Sequence, residues 1–253
     1  MKLHYRKIGQ GEPLIILHGL FGYSDNWQTL GKRYAEDFEV YLVDQRNHGH
    51  SPHSLEFSYN HMADDLLKLM TDCNLSSAYI LGHSMGGKTA IRFTQKNPHM
   101  VKKLIVADIG VKGYPMHHGT IIDGLKAIDL NRAKTRGEAE EMLAPYIPQV
   151  GVRQFLLKNL YWVEQGQLGW RMNLAVLDEK MVEIIGALPA DGIDVPTLFL
   201  RGELSNYILE ADYDAIRSQF SDCRIETIPQ TGHWIHAENP ELFYSLTVNF
   251  LRE

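Results

Sequence analysis

The chain has 253 residues, of which 44% are hydrophobic and 22% are charged, and its net charge is -6. This size and composition are typical of a globular protein with one large core, or one core plus a small insertion. The negative charge and the scattered basic residues argue against nucleic acid or an anionic membrane as the main partner.

No apolar run approaches the roughly 20 residues that a membrane span needs. Residues 1–8 include basic side chains but no apolar stretch that could serve as a signal peptide. We therefore expect a cytoplasmic protein with no membrane span. Cys73 and Cys223 are the two cysteines, and in that compartment we expect both to be reduced thiols. The sequence carries no signal for an oligomeric state.

Short β-type runs alternate with helical stretches along the first hundred or so residues and again near the end, which predicts an α/β fold with a parallel sheet flanked by helices. The predicted strands are Leu3 to Ile8, Leu14 to Leu17, Val40 to Val43, Tyr79 to Leu81, Leu104 to Ala107, Thr197 to Leu200 and Arg224 to Ile228.

The stretch between these two regions has a different residue pattern. Residues 113–189 are rich in Leu, Met, Glu, Lys and Arg at helical spacing and lack obvious β runs. We expect this stretch to be an all-helical cap over the active site, inserted into a core formed by residues 1–112 and 190–253. Extra helices packed on a sheet face are the alternative, but an insertion after a strand's carboxyl end lies where ligands bind.

The six residues from Gly82 to Gly87 follow an apolar strand and precede a helix-compatible run. They contain the pattern G-x-S-x-G, the nucleophile elbow of serine hydrolases. Its serine occupies a strained turn, and a bulky side chain two positions away on either side would collide with that turn. We therefore predict Ser84 as a nucleophile. Lys88 lies on the following helix, and the sequence assigns it no role.

A serine hydroxyl needs a base to remove its proton. In this fold the histidine follows the last strand, and His233 has that position, since it comes after the strand that ends at Ile228 and before a helix that begins near Asn239-Pro240. We predict His233 as the base. His236, three residues later, is interpreted as a structural or supporting residue.

The acid of the triad is less obvious. The usual acidic position, after the penultimate strand, holds Ser205. Asp108 stands at the end of the strand Leu104 to Ala107, which opens onto the same edge as Ser84, and a carboxylate there could reach Nδ1 of the histidine. We predict Asp108, with Glu203 and Glu210 as the alternatives.

Two backbone amides must face the developing oxyanion. One is predicted to be the amide of Met85, directly after the nucleophile. The second is expected from the glycine-containing loop that begins at His18, from either Leu20 or Phe21. His18 itself is interpreted as a buried support for that loop.

Several histidines raise the question of a metal site. The polar segment from Asp44 to Ser51 contains His48 and His50, and His117 and His118 form a pair. Their spacing matches no metal-site pattern, and a Ser-His-acid site needs no metal. We expect no metal and no cofactor, and we interpret the segment from Asp44 to Ser51 as a structural turn.

With these residues in place, the chain resembles the α/β-hydrolase superfamily and, within it, the YbfF-type esterases and their mitochondrial relatives. The resemblance runs nearly end to end. It rests on HGLFG at His18, DQRNHGHSPHS at Asp44, GHSMGGKTA at Gly82, VADIG at Val106, VRQFLLKNL at Val152, WRMNL at Trp170 and GHWIHAENP at Gly232.

The resemblance implies an α/β-hydrolase fold with a mostly parallel sheet of the eight-stranded type. It also implies the aspartate matching Asp108 as the acid, and hydrolysis of carboxylic esters that could extend to acyl-CoA thioesters. In the cap, Phe155, Leu156 and Trp162 are candidates for an acyl pocket, although such an apolar stripe is more often the core of a cap. Arg171 is a candidate for binding a carboxylate or phosphate, with an exposed surface arginine as the alternative.

We therefore expect a serine hydrolase acting on small-molecule esters of short to medium acyl chains, through an acyl-enzyme on Ser84. A C–C hydrolase or perhydrolase with the same triad is an alternative, since the cap rather than the triad decides among these reactions. A ligand-binding protein with the hydrolase fold and negligible turnover is an alternative from a different class.

Overall fold

The computed structural model of the protein describes residues 1–116 and 119–253. The pair His117-His118, considered above for metal binding, lies outside the described residues. Nine strands occur in the described ranges: β1 (Tyr5–Ile8), β2 (Glu12–Leu17), β3 (Phe38–Val43), β4 (Ala78–His83), β5 (Val101–Ala107), β6 (Leu160–Glu164), β7 (Gln167–Trp170), β8 (Thr197–Gly202) and β9 (Cys223–Ile228).

Eleven α-helices occur in the same ranges, together with short 3-10 turns. The helices are α1 (Gln28–Tyr34), α2 (Tyr59–Asp72), α3 (Met85–Lys96), α4 (Gly119–Ala127), α5 (Arg136–Leu143), α6 (Val150–Leu157), α7 (Leu174–Glu179), α8 (Met181–Ile185), α9 (Tyr213–Arg217), α10 (Ile235–Glu238) and α11 (Pro240–Arg252). None of these helices is long and apolar enough to cross a membrane.

Seven strands form one sheet in the order β1-β3-β2-β4-β5-β8-β9. The edge strand β1 runs antiparallel to β3, and the other neighbours are parallel. All seven predicted strands are present. The resemblance implied a sheet of eight strands, and this count is wrong for the described residues. The number eight came from the family rather than from this sequence, in which only seven β-type runs occur outside residues 113–189.

The sheet is covered on both faces because its strand side chains alternate between two apolar clusters. Ile15 and Leu17 of β2 belong to the cluster that includes α2 and α3. Leu14 and Ile16 of the same strand belong to the cluster that includes α1 and α11. A parallel sheet buried in this way brings the carboxyl ends of its central strands to one edge.

Residues 113–189 contain α4 to α8, as the helical spacing of their apolar residues predicts, but they are not all helical. β6 and β7 form an antiparallel hairpin in which Glu164 pairs with Gln167. The intervening two-residue turn contains Gly166 at a φ of 80°, a left-handed conformation that suits a tight hairpin turn. The all-helical expectation was wrong because aromatic and β-branched residues from Leu160 to Val163 favour a strand.

Candidate active site

Ser84 occupies the turn between β4 and α3, with φ 53° and ψ -121°. This left-handed backbone is costly for a residue other than glycine and is typical of functional turns. The turn is tightly enclosed, because a Cβ on Gly82 would lie 2.3 Å from the Gly86 carbonyl oxygen and a Cβ on Gly86 would lie 2.4 Å from that of Leu17. The predicted need for small residues two positions from the serine is confirmed.

Strand order brings the predicted acid to the same edge as the predicted nucleophile. β4 and β5 are parallel neighbours with Gly82 opposite Val106, so the residues that follow these two strands lie side by side. The Ser84 amide donates a hydrogen bond to the Ala107 carbonyl at 3.0 Å. Asp108 comes next, with a φ of 50°, and its side chain is fully buried.

His233 lies between the serine and the aspartate. Its Nδ1 is 2.8 Å from Oδ2 of Asp108, and its Nε2 is 3.0 Å from Oγ of Ser84. An ionised carboxylate can only accept, so Nδ1 carries the proton of the neutral ring and Nε2 is free to accept from the serine hydroxyl. The three side chains therefore form a continuous Ser-His-Asp hydrogen-bond chain.

The Asp108 carboxylate is held by β8 and the loop after it. Its Oδ1 accepts from the Gly202 amide at 2.9 Å, and its Oδ2 accepts from the Ser205 hydroxyl at 2.5 Å. The alternative acids do not contact His233, since Glu203 accepts from the Gln230 amide at the surface and Glu210 is exposed. In the described residues, Asp108 is the carboxylate that contacts His233.

The loop after β8 also supplies contacts that sequence reasoning missed. The ring of Tyr207 stacks on the His233 imidazole at a centroid distance of 3.9 Å and an interplanar angle of 19°. Ser205 donates to the acid from the position where the sequence led us to look for the acid itself. An unexpected polar residue at that position was the available signal for Ser205, whereas no sequence pattern pointed to Tyr207.

The loop after β2 lies against the elbow, since a Cβ on Gly19 would be 3.2 Å from the Cβ of Ser84. The Phe21 amide donates to Nε2 of the buried His48 at 3.2 Å and is therefore engaged within the protein. In the described residues no hydrogen bond involves the amide of Leu20 or that of Met85. Of the two predicted second donors, Leu20 is the one with an unengaged amide.

Buried neutral histidines hold this loop. Nδ1 of His18 donates to the Gly19 carbonyl at 2.8 Å, and its Nε2 accepts from the Gln45 amide at 3.0 Å. Burial lowers the pKa of His18, and burial and then the nearby His18 lower the pKa of His48 to about 3. Both rings therefore remain neutral and keep one donor and one acceptor at neutral pH.

The segment from Asp44 to Ser51 is a turn held by side-chain hydrogen bonds, as predicted. The buried carboxylate of Asp44 accepts from the amides of Ser24 at 2.6 Å and His50 at 2.8 Å. Arg46 forms a buried ion pair with Asp65 at 2.7 Å. These contacts fix the loop that carries His48 beneath the predicted oxyanion donors.

Comparison with known proteins agrees with this geometry. A family model described as the alpha/beta hydrolase fold matches residues 12–240. The chain belongs to the α/β-hydrolase family.

The hydrolase is similar to proteins named as esterases and lipases. The sn-1-specific diacylglycerol lipase ABHD11 of Danio rerio is 37% identical, over 96% of this chain and 80% of that protein. Esterase YbfF of Escherichia coli is 34% identical, over 90% of this chain and 89% of that protein. A solved structure named marine microorganism esterase is 46% identical and superposes with a TM-score of 0.94, covering 98% of this chain and 99% of that one. The hydrolase is thus a serine hydrolase of carboxylic esters, and the resemblance to YbfF-type esterases is confirmed.

A cavity of about 570 Å³ opens above the hydrolase's Ser84 and His233. Its core side includes Leu20, Phe21 and Trp234, and residues 113–189 contribute an apolar wall that includes Ile121, Val152, Phe155 and Leu156. This volume lies within the range that is typical of small-molecule sites.

Two of the four predicted cap residues do not reach this cavity. Trp162 is 51% exposed on β6. Arg171 lies against the Tyr161 ring at 4.8 Å and donates to Nδ1 of His50 at 3.2 Å. Only the start of β6 is buried, since Leu160 is buried whereas Trp162, Val163 and Glu164 are exposed, so Trp162 lies on the surface rather than in the pocket.

His236, predicted to be structural or supporting, is buried next to the site. Its ring stacks on Trp27 at 4.3 Å, and burial followed by the nearby His233 lowers its pKa to about 3. In residues 1–116 and 119–253, no group of three or more His, Cys, Asp or Glu side chains is arranged to hold a metal ion.

Proposed function

We propose that the hydrolase cleaves esters by a two-step acyl transfer through Ser84. His233 takes the serine proton on Nε2 while Oγ attacks the ester carbonyl, and Asp108 stabilises the resulting imidazolium. The observation that carries this proposal is the hydrogen-bond chain of 3.0 Å and 2.8 Å that joins the three side chains below the cavity.

The oxyanion of the tetrahedral intermediate is stabilised by the amides of Met85 and Leu20. This assignment is supported by their unengaged N–H groups and by the engagement of the Phe21 amide with His48. The imidazolium then gives its proton to the leaving alcohol, which breaks the ester bond and leaves the acyl group on Oγ. A water molecule, deprotonated by His233, then attacks the acyl carbonyl. The bond to Oγ breaks, the imidazolium returns its proton to Oγ, and the acid is released.

Short to medium acyl chains are the proposed substrates, because the apolar wall of the cavity stands directly over the nucleophile. Phe155 and Leu156 are the proposed acyl contacts among the four predicted cap residues, since both line the cavity. We extend the proposal to acyl-CoA thioesters, as the resemblance implies, because attack of Ser84 on the thioester carbonyl gives the same acyl-enzyme. Diacylglycerols belong in the panel as well, because one relative's name specifies them.

Residues 113–189 act in this proposal as a cap on a core formed by residues 1–112 and 190–253. The apolar cavity wall from α4 and α6 supports that role. The cap excludes water from the acyl group during the first step and sets the length of chain that fits.

The test is hydrolysis of p-nitrophenyl esters from acetate to palmitate, followed by acyl-CoA and diacylglycerol substrates. We expect Ser84→Ala to lower kcat by at least about 10⁴-fold with an unchanged circular dichroism spectrum. The exposed Ser218, changed to Ala, is the matched control and is expected to be as active as wild type. Similar activity of Ser84→Ala and wild type would overturn the nucleophile assignment.

A further inference from the structure

Lys88 is an unusual residue on the helix that follows the nucleophile. It lies one turn after Ser84, and its amide donates to the Ser84 carbonyl at 3.1 Å. Its side chain is almost fully buried, with a residue exposure of 1%. In the described residues it forms no ion pair, because the partners of its ammonium are backbone carbonyls.

Those carbonyls come from both ends of the cap. Nζ of Lys88 donates to the Lys112 carbonyl at 2.9 Å, and on the other side to the carbonyls of Gly186 at 2.5 Å and Ile185 at 3.4 Å. We call residues 111–114 and 184–188 the neck, since the chain enters the cap through the first run and leaves it through the second.

The two runs of the neck are also joined to each other. The Leu188 amide donates to the Val111 carbonyl at 2.8 Å, and the Tyr114 amide donates to the Ile185 carbonyl at 2.9 Å. The Lys88 ammonium lies over the Tyr114 ring at 4.9 Å. A single charged group thus bridges both runs and anchors them to the helix that starts at the nucleophile.

The neck continues to the catalytic histidine. The Tyr114 hydroxyl accepts from the Gly110 amide at 2.7 Å and donates to the Tyr207 carbonyl at 3.0 Å. The Tyr207 ring stacks on His233. A displacement of the neck would therefore reach both the cavity wall above Ser84 and the ring that stacks on the base.

We propose that Lys88 is a positioning residue whose ammonium clamps the neck to the nucleophile helix and so sets the chain length that the cavity accepts. The inference rests on the proposed function, since it concerns the same cavity. An ammonium buried without a carboxylate is costly, and an apolar side chain of similar length would fill the space at lower cost. What the ammonium adds is directed donors to both runs of the neck.

Lys88→Met tests the clamp, because methionine has a similar length and no donor. Lys103→Met is the matched control, since Nζ of Lys103 also donates to a carbonyl, that of Phe250 at 2.7 Å, but on β5 far from the strand's carboxyl end. The readout is the ratio of kcat/KM for p-nitrophenyl octanoate to that for the acetate. Changes shared by all esters cancel in this ratio.

In Lys88→Met we expect this ratio to rise at least about fivefold, mainly through KM, because a looser neck lets the cap wall move away from longer chains. Amide hydrogen exchange at Tyr114 and Leu188 is expected to become faster. In Lys103→Met both quantities are expected to match wild type. An unchanged ratio with unchanged exchange in Lys88→Met overturns the proposal, and so does a uniform loss of kcat on both esters.

The wild-type protein provides a second test that does not depend on the folding of a variant. Burial lowers the pKa of Lys88 to about 8, so a rise from pH 7 to pH 9.5 removes its charge and one donor. The rings of Tyr59 and Tyr114 face the Lys88 ammonium, and burial raises the pKa of both tyrosines. The Lys112 ammonium also lies over the Tyr114 ring and pairs with Asp212. The ratio is expected to rise over this range, and a fall in the ratio overturns the proposal.

Failure of the clamp and failure of the proposed function give different results. If the wild type hydrolyses no ester, or Ser84→Ala is as active as wild type, the proposed function fails. Amide exchange in Lys88→Met then still tests the clamp. If the wild type is active but the ratio and the amide exchange of Lys88→Met equal those of wild type, only the clamp proposal is overturned.

Discussion

Replacement of Asp108 by Asn is the sharpest perturbation of the proposed triad. The backbone tolerates it, because Asp108 has a φ of 50° and asparagine adopts this left-handed conformation more readily than most residues. An alanine at this position would add backbone strain to the loss of the carboxylate. Asn therefore isolates the carboxylate's chemistry from the fold.

The hydrogen bonds of Asp108 leave an amide no satisfactory orientation. If the amide oxygen keeps its bond from the Gly202 amide, the NH₂ group faces Nδ1 of His233 and requires the tautomer with its proton on Nε2. That tautomer cannot take a proton from Ser84. If the amide is reversed, its NH₂ group faces the Gly202 N–H in a buried site, which leaves two donors opposed.

The expected loss in kcat is about 10⁴-fold, because the histidine is held in the wrong tautomer. It corresponds to about 5 kcal/mol of transition-state stabilisation. Ser205→Ala is a milder change at the same carboxylate and serves as the comparison. It removes one of the hydrogen bonds to Asp108 and leaves the His233 contact, so we expect a loss of about tenfold, the value of one bond to a charged group.

The assay is steady-state hydrolysis of p-nitrophenyl butyrate at pH 7 to 8 with wild type, Asp108→Asn and Ser205→Ala. Thermal unfolding of each variant checks that the fold is retained. If Asp108→Asn keeps more than about a tenth of the wild-type kcat, the tautomer argument is refuted. A carboxylate such as Glu203 or Glu210 would then have to supply the acid after a movement of its loop.

Two further predictions concern stability. Gly86→Ala should lower the free energy of unfolding, measured in urea, by about 2–3 kcal/mol, because the added Cβ would meet the Leu17 carbonyl oxygen at 2.4 Å. Gly137→Ala is the control, since its Cβ would meet nothing closer than 3.8 Å, and equal stabilities of the two variants would contradict the steric account. Burial lowers the pKa of His236 to about 3 in the folded protein, whereas its pKa in the unfolded chain is near 6.5. Below pH 6.5 the unfolded chain therefore binds a proton that the folded chain does not, and the free energy of unfolding falls as the pH drops. Between pH 7 and pH 5 the wild type should lose about 2 kcal/mol more than His236→Phe, and parallel losses in urea titrations would show that this histidine does not remain neutral.

The sheet and the tight turn at Ser84 were predictable because both rest on local signals. Seven β-type runs identified all seven strands of the larger sheet, and G-x-S-x-G at Ser84 stands directly after one of them. Chain order within an α/β sheet then pointed to His233. Each of these inferences needs only the period of the apolar residues, the small size of glycine and the rule that ligands bind at the carboxyl ends of parallel strands.

The missed features depend on contacts between distant parts of the chain. Tyr207 stacks on His233 across a separation that no local pattern encodes. Lys88 appears in the sequence as an ordinary helical lysine, and it is buried beside the Lys112 and Gly186 carbonyls, which are distant in sequence. The hairpin β6–β7 was hidden for a different reason, since its short strands lie among helical segments and a single positive-φ glycine makes its turn.

What His233 requires of the predicted acid is a carboxylate within reach of Nδ1, and this requirement does not fix which strand carries it. Nδ1 of His233 needs an acceptor in the plane of its ring, and β5 and β8 are adjacent parallel strands with Ala107 opposite Leu200. The residues after either strand can therefore reach the same point. With the carboxylate on Asp108, the end of β8 and the loop after it are free to supply donors, and they do so through Gly202 and Ser205. The oxygens of a buried carboxylate need such hydrogen-bond donors, so Ser205 at this position is explained by a carboxylate on the neighbouring strand.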